Sequence, residues 1–202
     1  MYLYGAKGHA RVIIEILEQC NVKIDGLIDD NPSIHTLLAY PVQHPPLNKI
    51  PADAVMIISI GDNLQRKQIS EKYSFSYGKA IHPSSVISTR VIIGDGTVIM
   101  GNAIINTGTE IGRHAIINTS ASVDHDCRIG DFVHISPNAT LCGGVSVGEG
   151  TQVGAAAVII PNISIGKWVT IGAGAVVICD VPDYSVVVGN PGRIIKTGKS
   201  IQ

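Results

Sequence analysis

Aliphatic residues recur at every sixth position between Ile81 and Pro182, without an insertion or an exception. They open seventeen consecutive six-residue frames, and the fifth residue of each frame is small or β-branched. A period of six differs from the roughly 3.6 of an α-helix and the 2 of an ordinary strand, and it is typical of a solenoid of stacked hexapeptide repeats. The opening residues are predicted to point into a common core, and they are Ile81, Ile87, Ile93, Ile99, Ile105, Ile111, Ile117, Val123, Ile129, Ile135, Leu141, Val147, Val153, Ile159, Ile165, Ile171 and Val177.

A second period of eighteen residues lies on the first, because an aliphatic residue followed by glycine recurs every third frame. One coil should therefore have three flat sides, with each core residue about 4.8 Å from its equivalent in the next coil. Glycine at these points suits tight turns and the close approach of two backbones. The repeats supply between five and six coils, and parallel crossovers in general favour a right-handed winding. The pairs are Ile93-Gly94, Ile111-Gly112, Ile129-Gly130, Val147-Gly148 and Ile165-Gly166.

The chain before the repeats begins with a predicted strand at residues 1–4, a glycine loop at 5–9 and a helix at 10–20. This is the order of elements that cradles a phosphate, although Gly5 and Gly8 do not complete a dinucleotide-binding fingerprint. The buried face of the helix is predicted to consist of Val12, Ile13, Ile16 and Leu17.

Two further strands are predicted at residues 23–28 and 55–60. Residues 31–51 contain five prolines and are predicted to form an irregular connection. Asp62 is a candidate N-cap for a second helix. That helix is expected to carry Leu64, Ile69 and Tyr73.

Strands that alternate with helices imply a small Rossmann-like parallel α/β domain, predicted at residues 1–78, followed by the β-solenoid domain with its tail at 79–202. Ligands in such sheets bind beyond the carboxyl ends of the strands, where the glycine loop, Asp29, Asp30 and Gly61 converge. A helix N-terminus favours a diphosphate, and a carboxylate accepts hydrogen bonds from a ribose or a base. NAD contains these groups, but a domain of this size provides only half of a dinucleotide-binding fold. A nucleotide sugar is therefore the favoured ligand. The alternative is that the glycine loop is only a turn between strand and helix and binds no ligand.

The composition agrees with a compact cytoplasmic enzyme rather than with a fibre or a membrane protein. The formal net charge is −1, and charged and aromatic residues make up 15% and 4% of the chain, so aliphatic side chains must build the core. No basic stripe predicts nucleic-acid binding, and no apolar run predicts membrane insertion. The cysteines lack the paired spacing of a metal site and are expected to be reduced. They are Cys20, Cys127, Cys142 and Cys179.

His125 is the candidate catalytic residue, because it stands at the third position of its frame and is predicted to point outward. Its neighbours Asp124 and Asp126 are both candidates to orient the ring and stabilise an imidazolium. Gly143 follows His125 by one full coil and is therefore predicted to lie directly above it, with an amide that can meet a developing oxyanion. His134 follows by half a coil, so it can share a site with His125 only across a subunit boundary.

These residues resemble a known family, the PglD/NeuD/PerB-type bacterial sugar acetyltransferases, within the left-handed β-helix acyltransferases. The resemblance covers nearly the whole chain, although Asp126 stands where close relatives often carry glutamate. It rests on Tyr4-Gly5-Ala6-Lys7-Gly8-His9, Asp29-Asp30, Ile60-Gly61, Asn118-Thr119-Ser120, His125-Asp126-Cys127 and Phe132-Val133-His134-Ile135-Ser136.

The resemblance implies a left-handed β-helix, a homotrimer with active sites between subunits, and direct transfer of acetyl from acetyl-CoA to the amine of a UDP-4-amino-(dideoxy)sugar. It implies that His125 is the general base and that Asp126 raises its basicity. The coenzyme contacts that it implies are His134, Gly143, Ala155 and Ala173. The substrate contacts are Lys7, Gly8, His9, Asp29, Asp30 and Gly61.

Several alternatives stay open from the sequence. The acceptor can be a hydroxyl, as in a sialic-acid type O-acetyltransferase, or the chain can be a non-catalytic scaffold that binds a nucleotide sugar. An acyl-enzyme on Cys142 is a rival mechanism. Zinc-dependent carbonic anhydrases share the solenoid, but His114, His125 and His134 lack the expected pair separated by four residues, so no metal is predicted.

Overall fold

The computed structural model describes residues 1–47, 50–51 and 53–198. The chain begins with six strands and two helices and continues as a β-solenoid. The elements of the first part are β1 Tyr2–Tyr4, α1 Gly8–Gln19, β2 Gly26–Ile28, β3 Thr36–Leu37, β4 Tyr40–Gln43, β5 Val55–Ile58, α2 Asn63–Lys72 and β6 Ser76–Tyr77.

The six strands form one sheet in the order β3-β4-β2-β1-β5-β6. All neighbours are parallel except β3 and β4, which pair as an antiparallel hairpin. The three predicted strands are therefore the central ones. The prediction that residues 31–51 are irregular is wrong, because they contribute β3 and β4. Pro41 fits within β4 because Val42, and not Pro41, donates the amide bond to the His35 carbonyl.

Helix α1 packs between this sheet and the solenoid, and its buried residues are Ala10, Ile13, Ile14, Ile16 and Leu17. The prediction for Val12 is wrong, since its side chain is 38% exposed and Ile14 is buried instead. The same hydrophobic cluster includes Ala80, Val98 and Ile116 from the solenoid. One apolar cluster thus spans the contact between the two parts of the chain, separate from the core inside the solenoid.

Helix α2 is capped as predicted, because the Asp62 side chain accepts a hydrogen bond from the Gln65 amide at 2.8 Å. Its buried residues, however, are the polar Asn63 and Arg66. Leu64 is half-buried, and Tyr73 follows the end of the helix. Neither α1 nor α2, the helices of the described residues, is long and apolar enough to cross a membrane.

The second part of the chain is made almost entirely of two-residue strands, one for each hexapeptide frame. Its elements are β7 Ala80–Ile81, β8 Val86–Ile87, β9 Ile92–Ile93, β10 Val98–Ile99, β11 Ile104–Ile105, β12 Glu110–Ile111, β13 Ile116–Ile117, β14 Ser122–Val123, β15 Arg128–Ile129, β16 His134–Ile135, β17 Thr140–Leu141, β18 Ser146–Val147, β19 Gln152–Val153, β20 Val158–Ile159, β21 Ser164–Ile165, β22 Thr170–Ile171, β23 Val176–Val177, β24 Ser185–Val188 and β25 Arg193–Thr197.

Every third strand pairs in parallel, which builds three flat faces. The first face is β7-β10-β13-β16-β19-β22-β24, closed by the antiparallel strand β25; the second is β8-β11-β14-β17-β20-β23; the third is β9-β12-β15-β18-β21. The paired residues lie eighteen positions apart, as Ile117 and Ile135 do, except between β22 and β24, where Thr170 pairs with Val186. The opening residue of each frame from Ile99 onward is buried in one cluster, which confirms the predicted core.

Three corners join the faces, and we number each after the face that precedes it. Many corner residues other than glycine adopt a left-handed backbone conformation, for example Asp126 with a φ of 58° and Phe132 with a φ of 59°. This conformation costs roughly 1–2 kcal/mol for an L-residue, but each such amide also bonds to the coil below, as Phe132 does to the Arg113 carbonyl. The predicted glycines occur where coils approach closely: a Cβ on Gly148 would lie 2.6 Å from the Gly166 carbonyl carbon.

Candidate active site

A cavity of about 530 Å³ opens at the carboxyl ends of β1, β2 and β5, as expected for a parallel sheet. Its lining residues in the described structure come from the α/β part, and five of the six predicted substrate contacts are among them. Gly8 is not, although it begins helix α1 directly beside the cavity. The five are Lys7, His9, Asp29, Asp30 and Gly61.

The glycine loop has a shape that only glycine permits. Gly5 has a φ of 109°, and a Cβ there would lie 2.6 Å from the Ile60 side chain and 3.0 Å from the Ser59 carbonyl. The Ser59 hydroxyl donates to the Gly5 carbonyl at 2.7 Å. Lys7 precedes helix α1 and makes no side-chain cap. The first amides of α1 are therefore available to an anion beside the cavity.

The two adjacent aspartates have different surroundings. Asp29 is 7% exposed, and its two carboxylate oxygens accept from the amides of Ala6 at 2.8 Å and Asn31 at 2.9 Å. Asp29 therefore holds the glycine loop in place. Asp30 is exposed and accepts the hydroxyl of Tyr4 at 2.7 Å. Burial is the main reason that the pKa of Tyr4 is raised, so this hydroxyl stays protonated and donates.

His134 lies on the first face of the solenoid, where its ring is 6.5 Å from that of His9. Asn118 donates its side-chain amide to His134 Nε2 at 3.0 Å. Burial is the main reason that the pKa of each histidine falls to about 4; the charge of Arg66 lowers both, and the proximity of His134 further lowers that of His9. Both rings are therefore neutral at pH 7. Among the described residues, His9 Nε2 is buried and has no hydrogen-bond partner.

His125 lies at the second corner, half a coil away from His134 as predicted. Its Nδ1 is 2.8 Å from Asp126 Oδ2, whereas Asp124 accepts the backbone amide of His125 at 2.8 Å. Asp126, not Asp124, is thus the ring partner. The Asp126 side chain is shorter than that of glutamate, and it reaches the ring from a left-handed backbone conformation. Gly108 lies below the carboxylate, and a Cβ on Gly108 would clash with it. The Asp126 bond, followed by the charge of Asp124, raises the pKa of His125.

Gly143 lies directly over His125, as the eighteen-residue period predicts. A Cβ on Gly143 would stand 2.6 Å from His125 Nε2, so only glycine leaves that nitrogen accessible. Within the described residues, no carbonyl or side chain accepts the Gly143 amide. Nε2 and this amide therefore border the same space at the surface of the solenoid.

The predicted coenzyme residues do not all gather in one chain. Ala155 and Ala173 are exposed and stack at the first corner, close to the face that carries His134. Gly143 is at the second corner with His125. Across the described ranges, no three histidine, cysteine or acidic side chains come together as metal ligands. His114 is packed instead, with its ring 5.1 Å from Phe132 in a parallel stack.

Sequence reasoning missed two residues at the seam between the two parts of the chain, Asn63 and Arg66. Both bond to main-chain carbonyls of the solenoid. Their position on a polar helix gave only a weak signal, namely that α2 carries few apolar residues with which to pack against the rest of the chain.

An α/β sheet with an open cavity, followed by a hexapeptide solenoid with an exposed His–Asp pair, defines a two-part hexapeptide transferase. Residues 1–73 match the PglD N-terminal domain, and residues 144–179 match the bacterial transferase hexapeptide (six repeats).

Three relatives identify the family. PerB from Caulobacter crescentus, solved with CoA and GDP-perosamine, is 38% identical over 96% of each chain with a TM-score of 0.91. The acetyltransferase domain of PglB from Neisseria gonorrhoeae, solved with acetyl coenzyme A, is 33% identical over 96% of this chain and 98% of that one, with a TM-score of 0.90. A UDP-N-acetylbacillosamine N-acetyltransferase of Bacillus subtilis is 39% identical over 105 residues, 48% of this chain and about half, 49%, of that protein.

The chain belongs to the PglD/PerB-type family of sugar acetyltransferases. The predicted fold class is confirmed, a small α/β sheet followed by a left-handed β-helix. The domain boundary at residues 78 and 79 stays a prediction, as do the roles of the individual site residues.

The surroundings of His125 predict its titration. We expect its pKa to lie above the ordinary 6.5, and Asp126→Asn to lower it more than Asp124→Asn does, because the ring hydrogen bond is the larger cause. Histidine ring signals followed by NMR against pH measure this directly. An unchanged His125 pKa in Asp126→Asn, or an equal effect of the two variants, would contradict the assigned pair.

Proposed function

We propose that the chain transfers an acetyl group from acetyl-CoA to the amine of a nucleotide-linked 4-amino sugar. The single observation that carries this proposal is the stack of Gly143 on the His125–Asp126 pair, because it joins a base to an unused amide donor at one point. The relatives described above support the substrate class, since their names or bound ligands include N-acetyltransferase activity, CoA and nucleotide sugars.

In this proposal, the nucleotide sugar binds in the α/β cavity. The amides at the start of α1 and the Lys7 ammonium meet the diphosphate, since a helix N-terminus and a nearby cation both favour anions. The exposed carboxylate of Asp30 accepts hydrogen bonds from the nucleoside. We take the nucleotide to be UDP, as in the name of the Bacillus subtilis relative, with GDP as the competing possibility that PerB represents.

The chemistry proposed for His125 is general-base catalysis. An amine must lose a proton as its nitrogen bonds to the thioester carbon, and a group whose pKa is near the working pH is suited to accept it. Because Nδ1 donates to Asp126, the lone pair of Nε2 is the acceptor, and Asp126 stabilises the imidazolium that results. The proton then passes to the departing thiolate.

The amide of Gly143 completes this arrangement. Negative charge develops on the thioester oxygen during attack, and a main-chain N–H beside His125 Nε2 is suited to stabilise it. Acetyl-CoA supplies the activated acetyl group when bound. One oxyanion donor of this kind typically contributes about 10² to 10³ in rate.

The proposed site requires a second subunit. The cavity lies in the α/β part, which packs through α1 on the first face of the solenoid, and His134 is on that face. His125 is at the second corner, across the solenoid. One chain cannot bring its own cavity to its own His125. We propose a homotrimer in which the second corner of one subunit meets the first face and first corner of the next, so that His125 and Gly143 join His134, Ala155 and Ala173 of the neighbour.

We expect thiol release from acetyl-CoA only when a nucleotide-linked amino sugar is present. The assay compares UDP- and GDP-linked 4-amino sugars with CMP-sialic acid and free serine. Activity with a UDP-4-amino sugar supports the proposal. Activity with the GDP-linked sugar alone would show that the nucleotide is GDP and not UDP. Turnover of CMP-sialic acid alone would favour O-acetylation, and ligand binding without thiol release would favour a scaffold.

In the same assay, His125→Ala should keep the native oligomer and lose about 10² to 10⁴ in kcat, the usual contribution of a general base. The control is His35→Ala, which removes an exposed histidine just before the edge strand β3 of the α/β sheet. Normal turnover by His125→Ala would exclude the assignment, whereas an equal loss in His35→Ala would point to a general defect.

Mixed oligomers test whether the site lies between subunits. We expect Lys7→Glu, which repels the diphosphate, and His125→Ala to be inactive separately and active when the two chains are co-expressed, because some seams then combine an intact cavity with an intact base. The assembly should have three times the chain mass of 21.3 kDa in light scattering. A monomeric mass, or no recovery in mixed oligomers, would contradict the proposed seam.

A further inference from the structure

Arg66 is the most deeply buried charged residue described in the chain, at 1% exposure, and it lies between the α/β part and the solenoid. A guanidinium has five N–H donors in a fixed plane. Here the five hydrogen bonds match that number. Nε donates to the His114 carbonyl at 2.8 Å, Nη1 to the carbonyls of Ile60 at 3.0 Å and Gly61 at 3.2 Å, and Nη2 to Asn63 Oδ1 at 2.8 Å and the Phe132 carbonyl at 2.9 Å.

All five acceptors are neutral, and no ion pair involving Arg66 occurs in the described part of the chain. Burial lowers the pKa of Arg66 to about 9, with the charge of Asp62 acting in the opposite direction. A buried cation without a counter-ion is an expensive means of stability, because well-packed apolar residues generally do as well or better. The planar arrangement of donors is the property that an apolar residue lacks.

The acceptors connect two places that the proposed reaction must hold in register. Ile60 and Gly61 line the nucleotide cavity. His114 and Phe132 occupy the third corner in successive coils, and Phe132 is two residues before His134. One side chain thus bonds the edge of the cavity to the coil that carries His134.

The solenoid side of this contact is closely packed. The rings of His114 and Phe132 stack at 4° with centroids 5.1 Å apart, and both residues have left-handed backbones. Asn63 extends the contact to a third coil, since its Nδ2 donates to the Gly150 carbonyl at 3.0 Å. The α2 helix is therefore tied to three successive coils through main-chain atoms.

We propose that Arg66 is a positioning residue that sets the distance between the acceptor cavity and the solenoid, and that it acts on acetyl transfer rather than on nucleotide binding. This inference rests on the proposed function. The two substrates are held by different parts of the assembly, so a shift of the cavity by about 1 Å is expected to reduce transfer by about 10²-fold. The diphosphate contacts proposed at α1 are not bonded to Arg66 and should survive such a shift.

The chain offers a matched control on the same helix. Lys67 also ties α2 to the solenoid, through a 2.6 Å ion pair with Glu149, but it does not bond to the cavity loop. A general loosening of α2 should affect Lys67→Met and Arg66 variants alike. If Arg66 positions the cavity, only the Arg66 variants should lose activity.

The experiment compares Arg66→Lys, Asn63→Ala and Lys67→Met with the wild type. We expect Arg66→Lys, which keeps the charge but has three donors, to lose 10- to 100-fold in kcat while the calorimetric Kd for UDP changes less than threefold. Asn63→Ala, which leaves the guanidinium in place, should show a smaller loss of the same kind and covers the case in which Arg66→Lys fails to fold. Lys67→Met should stay within twofold in kcat.

Amide hydrogen exchange of residues 60–62 gives a readout that does not need turnover. Exchange should accelerate in Arg66→Lys and not in Lys67→Met. Unchanged exchange, a kcat within twofold of the wild type, or equal losses in Arg66→Lys and Lys67→Met would each overturn the inference. If the wild type is inactive and exchange still accelerates in Arg66→Lys, the proposed acetyl transfer is rejected. The inference that Arg66 positions the loop at residues 60–62 would stand in that case.

Discussion

The hydrogen-bonded register between successive coils is the constraint on which the rest of the structure depends. Because residues eighteen apart pair in parallel, every outward position stands above the same position of the coil below. A glycine in such a column leaves space for one neighbouring side chain. Gly108 accommodates the Asp126 carboxylate in this way, and Gly143 leaves Nε2 of His125 uncovered. The geometry around His125 is thus set by the backbone period more than by side-chain packing.

The same register provides the surface on which the α/β part is held. Helix α1 covers outward aliphatic residues of the first face, such as Val98 and Ile116, while α2 bonds to the main chain at the third corner. An apolar contact alone would tolerate sliding, since the hydrophobic effect is not directional. Main-chain acceptors in successive coils remove that freedom, because hydrogen bonds weaken steeply when misaligned. Both contacts lie away from the second corner, which keeps His125 exposed.

Periodicity made the solenoid, its core and the stack of Gly143 on His125 predictable, because a repeat converts a position in sequence into a position in space. No comparable rule covers Arg66, whose acceptors are main-chain atoms of distant coils and leave no trace in residue type. Helix α1 packs on two sides, so its buried surface is centred differently from the stripe that its aliphatic residues suggest: it includes Ile14 and leaves Val12 outside. The prolines of residues 31–51 hide the β3–β4 hairpin, because Pro41 occupies a strand position from which no amide needs to donate. The partner of His125 needed the left-handed backbone of Asp126, which sequence does not reveal.

The histidines divide into two groups by environment, and this division bears on their chemistry. His9 and His134 are desolvated beside the Arg66 guanidinium, so with a pKa of about 4 they are weak proton acceptors at neutral pH. As neutral rings they are suited to hydrogen bonding within a binding site. His125 is solvent-exposed and paired with a carboxylate, and its pKa is raised instead. A base must be both accessible and basic, and only His125 of these three meets both conditions. Because His125 stands across the solenoid from the cavity, the proposed acetyl transfer needs an assembly that brings the two together.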